Sequence, residues 1–511
     1  MSAPTPRRQR RLGAPAAWRP LCALVAALAV CAPALARAWE YGIMIDAGSG
    51  GSRLHFFRWP ERVADPFRPL YPAVTMPEEL FEVSVRPGIS AFAHNISALE
   101  PYMKDLLGQA LDKLGALREQ WYLIPVYLKA TAGARNLYED QRDAIFAKLR
   151  DILASCPFRF DDFYWARTIS GEEEAVYAWL TVNAIQGTYR QGPATTWGAL
   201  DMGGASTQIA FIPKGISIIQ NYYPLHISSV HVHLYSHSYL EFGYRDAQQR
   251  LMRGLMHWGY GNGTRRRPIL NPCARAHSIF RVNFSEAFAL GRARYWVEGT
   301  GNVSECMRMA TQLLNPNARC YVPAKSREFA VDSRMGACAI AGVYEPELEE
   351  RQFIAMGQYA EEAAKLGLPL DRPVPMADWM AAVRTQCTSE SWPRHCWRGI
   401  WLGMVITQGL RFPLDTSQIV FSKTLEGQQT VWALGAMMNE VNYYPWQSRN
   451  SLALTLASEG AQIPVPRTGA TSVVGLLALT ALASSSITWA MSRRFYTSSR
   501  RIGCFGGHLL G

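Results

Sequence analysis

Two stretches of this 511-residue chain share one alternation: an apolar run, a glycine-rich break, and a second apolar run. The first is apolar from Tyr41 to Ile45, breaks at Asp46-Ala47-Gly48-Ser49-Gly50-Gly51-Ser52-Arg53, and resumes over Leu54 to Phe57. The second is apolar from Trp197 to Leu200, breaks at Asp201-Met202-Gly203-Gly204-Ala205-Ser206-Thr207, and resumes over Ile209 to Ile212. Apolar runs of this length with a glycine break read as strand, tight turn, strand. The spacing therefore predicts one hairpin over Tyr41 to Trp59 and another around Asp201.

Other periods fill in the chain. Ala98 to Arg118 has a helical repeat with charge on one side. Leu123 to Leu128 reads as a buried strand, with Thr131-Ala132-Gly133-Ala134-Arg135 as its terminal turn. Tyr138 to Leu153 places Tyr138, Ile145 and Leu149 on one helical face. Ser170 is placed to cap a helix over Glu172 to Asn183, with Glu172, Glu173 and Glu174 in its first turn. Gly187 to Thr196 reads as a linker, and residues 213 to 345 as loop-rich. Glu347 to Leu366 and Trp397 to Gln408 read as helices, and Val431 to Ala436 as a late strand or a helix start.

The ends differ from the middle. Leu21 to Ala36 is apolar behind an arginine-rich start and is short for a bilayer span, so signal peptide and signal anchor both remain open. Gly469 to Ser492 carries no charge, is long enough to cross, and is stopped by Arg493 and Arg494. Nine arginines flanking these segments (7, 8, 10, 11, 19, 493, 494, 500 and 501) account for most of the net charge of +11. The basic excess thus belongs to membrane flanks, excludes a nucleic-acid groove, and places both tails in the cytosol. Residues from about Trp39 to Arg467 are then lumenal or extracellular. Four sequons, at Asn95, Asn262, Asn283 and Asn302, fit that side. So do seven cysteines outside the apolar segment and tail, of which Cys387 and Cys396 are expected to close a local loop and Cys156 to stay free.

The two glycine turns carry the chemistry. Glycine permits positive φ and close ligand approach, and N–H groups exposed in such a turn cradle anions. Two facing turns would clamp a chain of phosphates, with Asp46 and Asp201 on either side of a metal ion. Neither the Walker loop nor the dinucleotide fingerprint is present. Hydrolysis needs a carboxylate to orient and deprotonate water. Glu172, Glu173 and Glu174 stand nearest to a turn, and spacing alone leaves the choice among them open.

Four ordered segments narrow it. They are Asp46 to Arg53, Ala130 to Arg135, Ile169 to Trp179 and Leu200 to Gln208, followed by a late Trp432-Ala433-Leu434-Gly435. In this order, across about residues 41 to 445, the chain resembles the apyrase, or ecto-nucleoside triphosphate diphosphohydrolase, family. The Tyr41-Gly42-Ile43-Met44 start, His237-Ser238-Tyr239-Leu240 and the two apolar ends look most like its Golgi and lysosomal branch. The resemblance implies an α/β fold of two actin- or sugar-kinase-like (RNase H-like) domains around a nucleotide cleft, flanked by N- and C-terminal membrane segments. It divides the chain into a basic tail (1–20), the signal segment (21–38), a first domain (39–188, completed by about 420–446), a second domain with disulfides (189–419), a stalk (447–468), a transmembrane helix (469–492) and a tail (493–511).

The resemblance further implies that Glu174 is the general base, with Thr131, Ser206 and Gln208 positioning the water. It gives Ser49, Gly50, Gly51, Ser52, Arg53, Gly203, Gly204, Ala205 and Ser206 to phosphate binding. Asp46 and Asp201 would hold Ca²⁺ or Mg²⁺ through water, and Tyr359 stands where a base-stacking ring is expected. Three positions depart from the pattern: Gly50 for serine, Ala175 for glycine and Glu241 for cysteine. The expected activity is stepwise removal of terminal phosphates from nucleoside tri- and diphosphates, with UDP and GDP favoured in a Golgi setting. Association of copies through the membrane segments is part of that picture. A sugar kinase of the same fold and a non-catalytic nucleotide-binding ectodomain are the alternatives.

Overall fold

The computed structural model describes residues 39–60, 74–189, 193–213, 218, 220–227, 230–283, 294–315, 337–348, 350–388 and 396–443. The apolar segments at both ends, the stalk and the tails lie outside these residues. Among the described residues no helix is long and apolar enough to cross a membrane.

The first sheet contains Trp39–Gly48 (β1), Gly51–Pro60 (β2), Glu78–Val85 (β3), Val126–Ala130 (β4) and Ala166–Thr168 (β5), in the order β3-β2-β1-β4-β5. β1, β2 and β3 form an antiparallel meander, while β4 and β5 add parallel to β1. The second sheet contains Gly198–Met202 (β6), Ser206–Phe211 (β7), Tyr222–Ile227 (β8), Val230–Leu240 (β9), Phe353–Gly357 (β10) and Ile419–Phe421 (β11), in the order β11-β10-β6-β7-β9-β8. β6, β7 and β9 are again antiparallel, and β10 and β11 again add parallel. The five-strand pattern is thus built twice, and each glycine turn joins the first two strands of one copy.

Helices cover these sheets as the apolar periods require. Leu99–Lys113 (α1) and Glu139–Ala154 (α2) share a core with Ile43, Ile45, Leu54 and Leu128 on one face of the first sheet. Gly171–Ile185 (α3) packs on β6, β7 and β9 of the second sheet. Trp432–Tyr443, the last described helix, packs on α3 and β1, so the C-terminal segment returns to the first sheet. One apolar cluster holds Met44 and Phe57 of the first sheet, Val176, Trp179 and Leu180 of α3, and Ala199, Ala210 and Ile354 of the second. Trp432 belongs to this core, stacked on Tyr177.

Two expectations change. The helix expected over Glu347 to Leu366 is strand β10 followed by a shorter helix, Gln358–Lys365. Parallel neighbours on both sides bury Phe353 to Met356, giving a continuous apolar run that periodicity cannot tell from a buried helix. The stretch expected to be loop-rich holds helices Tyr244–His257 (α4) and Val303–Leu314, and a small sheet of Ile269–Asn271, Arg294–Gly299 and Ile279–Asn283. Ala247, Leu251 and Leu255 recur every four residues along α4 and are buried, a signal the sequence does carry. Disulfides join Cys387 to Cys396, as expected, and Cys273 to Cys306, while Cys156 is a free thiol. All four sequon asparagines are exposed.

Candidate active site

The two turns face each other. In the first, Gly48 pairs with Gly51 across β1 and β2, leaving Ser49 and Gly50 at the tip. A Cβ added to Gly204 of the second turn would lie 2.7 Å from Ser49 Oγ. The glycines serve this close approach rather than a left-handed backbone: Gly48, Gly50, Gly51, Gly203 and Gly204 all lie outside positive φ. Gly133, in the turn after β4, would bring a Cβ within 2.8 Å of Ser49 Cα. Arg245, the second residue of α4, reaches in and donates to Ser49 Oγ at 3.2 Å. Its guanidinium fills the space a side chain at Gly50 would need, 2.3 Å from the added Cβ.

Hairpin register places the two aspartates equivalently. Asp46 lies opposite Arg53, and Asp201 opposite Gln208. Arg53 Nη1 donates to Asp46 Oδ2 at 3.1 Å, while Asp46 Oδ1 is buried without a hydrogen-bond partner among the described residues. Burial raises the Asp46 carboxyl against the pull of Arg53. Burial, then the Asp46 charge, pushes Asp201 up to about 6. Gly357, at φ +62°, is needed here because a Cβ would meet Asp201 Oδ1 at 2.4 Å. Two buried, mutually repelling carboxylates with an orphaned oxygen are the donor set a hard divalent cation takes, directly or through water.

Glu174 is set by its helix. Ser170 Oγ accepts from Glu173 N–H at 3.0 Å, and Glu173 Oε2 accepts from Ser170 N–H at 2.9 Å, a reciprocal cap. Glu173 is further tied to Arg167 and Glu172 is partly exposed, which leaves Glu174 as the buried acid of the three. Its Oε2 accepts from Arg135 Nη2 at 2.5 Å and from Gln208 Nε2 at 3.1 Å. Burial pushes Glu174 up to about 8, Arg135 opposes that, and the charges of Asp201 and Asp46 add to it. Gln208 Nε2 also donates to Ser206 Oγ at 2.6 Å and Ser238 Oγ at 2.9 Å. Glu174, Ser206 and Gln208 therefore form one connected cluster. Thr131 is buried at the start of the Ala132–Arg135 turn, its N–H on Ala47 C=O.

Two expected residues fall elsewhere. Ser52 is fully buried and its N–H donates to Tyr102 Oη at 3.1 Å, so that amide is committed within the fold. Tyr359 is also fully buried, with its hydroxyl on Thr207 Oγ1 at 3.2 Å, and no ring face is open for a base. Conversely, Arg135, Ser238 and Arg245 enter the site without having been singled out. Arg135 and Ser238 stand inside quoted motifs, but Arg245 sits in the stretch read as loop.

Known proteins resemble this chain over most of its length. Residues 34–454 match the GDA1/CD39 (nucleoside phosphatase) family. Ectonucleoside triphosphate diphosphohydrolase 1 of Bos taurus is 28% identical over 455 residues, covering 80% of this chain and 82% of that protein. Probable apyrase 4 of Arabidopsis thaliana is 26% identical over 426 residues, covering 78% and 79%. Among solved structures, a nucleoside triphosphate hydrolase from Neospora caninum aligns with a TM-score of 0.58 at 16% identity, covering 87% of this chain and 99% of that one, which places the two in one fold. The chain belongs to the GDA1/CD39 family and is a nucleoside phosphatase.

Proposed function

We propose that this enzyme cleaves the terminal phosphoanhydride of nucleoside tri- and diphosphates with a divalent cation, and that UDP and GDP in a secretory lumen are its preferred substrates. Water attacks the terminal phosphorus, the bridging P–O bond breaks, and its electron pair leaves on the nucleotide. Glu174 takes the water proton, while Ser206, Gln208 and Thr131 hold the water. Amides of the Ser49–Gly51 and Gly203–Ala205 turns, with Arg53 and Ser206, hold phosphate oxygens. Asp46 and Asp201 would hold Ca²⁺ or Mg²⁺, which offsets phosphate charge when bound.

The observation that carries this reading is the buried Glu174 carboxylate, joined to Ser206 through Gln208, beside two facing glycine turns each with its own aspartate. The lumenal and Golgi assignments rest on the apolar segments and their arginine flanks, and on four exposed sequons.

The test is phosphate release by the full chain in detergent, from ATP, ADP, UTP, UDP, GTP and GDP with Mg²⁺ or Ca²⁺. Glu174→Gln is expected to lose about two to four powers of ten in kcat, the range for a missing general base, while still binding nucleotide. Turnover that survives Glu174→Gln, or full activity in excess EDTA, refutes the assignment. Equal rates on all six nucleotides refute the preference.

A further inference from the structure

One cluster of metal-ligating side chains stands outside the chemistry above. His55 of β2 is 1% exposed and pairs across to β3, where Glu79 and Glu82 lie. One ligand atom from each of His55, Glu79 and Glu82 lies within 4.8 Å of the other two. His55 Nδ1 and Glu79 Oε1 are 2.8 Å apart. The Glu79 side chain is only 7% exposed, and its Oε2 is buried with no hydrogen-bond partner among the described residues. Glu82 is more open, at 26%, and supplies a way in for an ion.

The charge count is unbalanced. Arg53 serves both Asp46, at 3.1 Å, and Glu82, at 3.9 Å. One guanidinium thus faces Asp46 and Glu82, and among the described residues the side-chain partner of the inner Glu79 is the His55 imidazole. A proton on His55 would still leave Glu79 Oε2 without a partner. Leaving a buried carboxylate oxygen unmatched is unfavourable, and an ion in this position would offset that.

We infer that His55, Glu79 and Glu82 form a second metal site that takes a zinc-class divalent transition ion. One imidazole and two carboxylates favour such an ion over Mg²⁺ or Ca²⁺, which prefer oxygen alone. The site differs from the Asp46 and Asp201 pair in ligand type and lies on the β2–β3 hairpin, next to the first phosphate turn. An ion there draws Glu82 from Arg53 and fixes β2 to β3 beside that turn. Its occupancy is independent of whether Glu174 is the base.

The experiment measures bound Zn²⁺ per chain by equilibrium dialysis and elemental analysis on the full chain in detergent, with millimolar Mg²⁺ present. All samples carry Asp201→Asn, to disable the cleft pair. They also carry His226→Gln, because His226 and His231 form an exposed imidazole pair with Nδ1 atoms 2.8 Å apart. The expected result is one tightly held Zn²⁺, lost at least tenfold in affinity in Glu82→Gln and again in Glu79→Gln. Glu82, with its side chain 26% exposed, is the least buried of the three ligands, so Glu82→Gln should leave the fold intact, checked by the circular dichroism spectrum. Absence of Zn²⁺ in the parent, or equal Zn²⁺ in parent and both variants, overturns the inference and leaves a structural His55–Glu79 pair.

Discussion

Arg135→Gln separates two roles for the one cation that, among the described residues, touches the proposed base. Arg135 Nη2 lies 2.5 Å from Glu174 Oε2, with the Arg135 side chain 14% and the Glu174 side chain 6% exposed. Burial already holds Glu174 at about 8, and Arg135 is the strongest influence pulling it down. A base must be ionised to act, so it works above its pKa and fails below it. A divalent cation held by Asp46 and Asp201 would lower that pKa further. Removing Arg135 raises it, because an isolated buried carboxylate protonates rather than stay charged. Each pKa unit is 1.36 kcal/mol, or tenfold in the ionised fraction below the pKa. For a rise of about one to two units from a value still above 7, kcat/KM at pH 7 falls roughly 10- to 100-fold, and by less where the bound cation has brought the parent value below 7. The loss shrinks as pH rises, and the ascending limb of the pH–rate profile moves to higher pH by the same amount. The assay is initial phosphate release from UDP between pH 6 and 10 in saturating Mg²⁺. A uniform loss at every pH, with the limb where the parent has it, refutes this account and puts Arg135 on the substrate.

Other features give sharper structural tests. Gly357→Ala forces a side chain into a φ of +62° and against Asp201 Oδ1. It should cost about 1 kcal/mol or more of stability and raise the Mg²⁺ concentration for half-maximal phosphate release. An unchanged Mg²⁺ curve would mean that Asp201 does not hold the ion. Gly50→Ser restores the residue expected from the resemblance, but must displace the Arg245 guanidinium from Ser49. It should raise KM several-fold with kcat within a factor of about three if, as proposed, Ser49 holds phosphate rather than taking part in proton transfer. Reduction of Cys273–Cys306, which spans 33 residues, and Cys387–Cys396, which spans 9, should lower the thermal midpoint, with each bond contributing about 2–4 kcal/mol. An unshifted midpoint under dithiothreitol would refute that contribution.

What the sequence made legible follows from where the signal is local. Each hairpin is local: strand, turn and strand lie within about twenty residues, so the apolar runs and glycines specify both copies, while the register that sets Asp46 opposite Arg53 and Asp201 opposite Gln208 is seen in the structure. The capped start of α3 is local too, and Ser170 with Glu173 gives the register that turns Glu174 inward. The distinction among Glu172, Glu173 and Glu174 was not local. Glu173 is taken up by Arg167 and the cap, while Glu174 meets Arg135 from 39 residues away and Gln208 from 34 residues away. Likewise, Arg245 reaches Ser49 across 196 residues, and no period in the chain announces such a contact. Tyr359 shows the converse error. The resemblance puts a base platform at Tyr359, but the residue follows β10, a strand buried by parallel neighbours, whose apolar run periodicity cannot tell from a helix. Once β10 is a strand, its helix must pack back on the sheet, and the ring enters the core beside Thr207. Tyr359→Phe should accordingly leave KM for UDP and GDP within about twofold, while losing the hydroxyl's hydrogen bond to Thr207 at a stability cost of about 1 kcal/mol. A tenfold rise in KM with unchanged stability would return Tyr359 to the substrate.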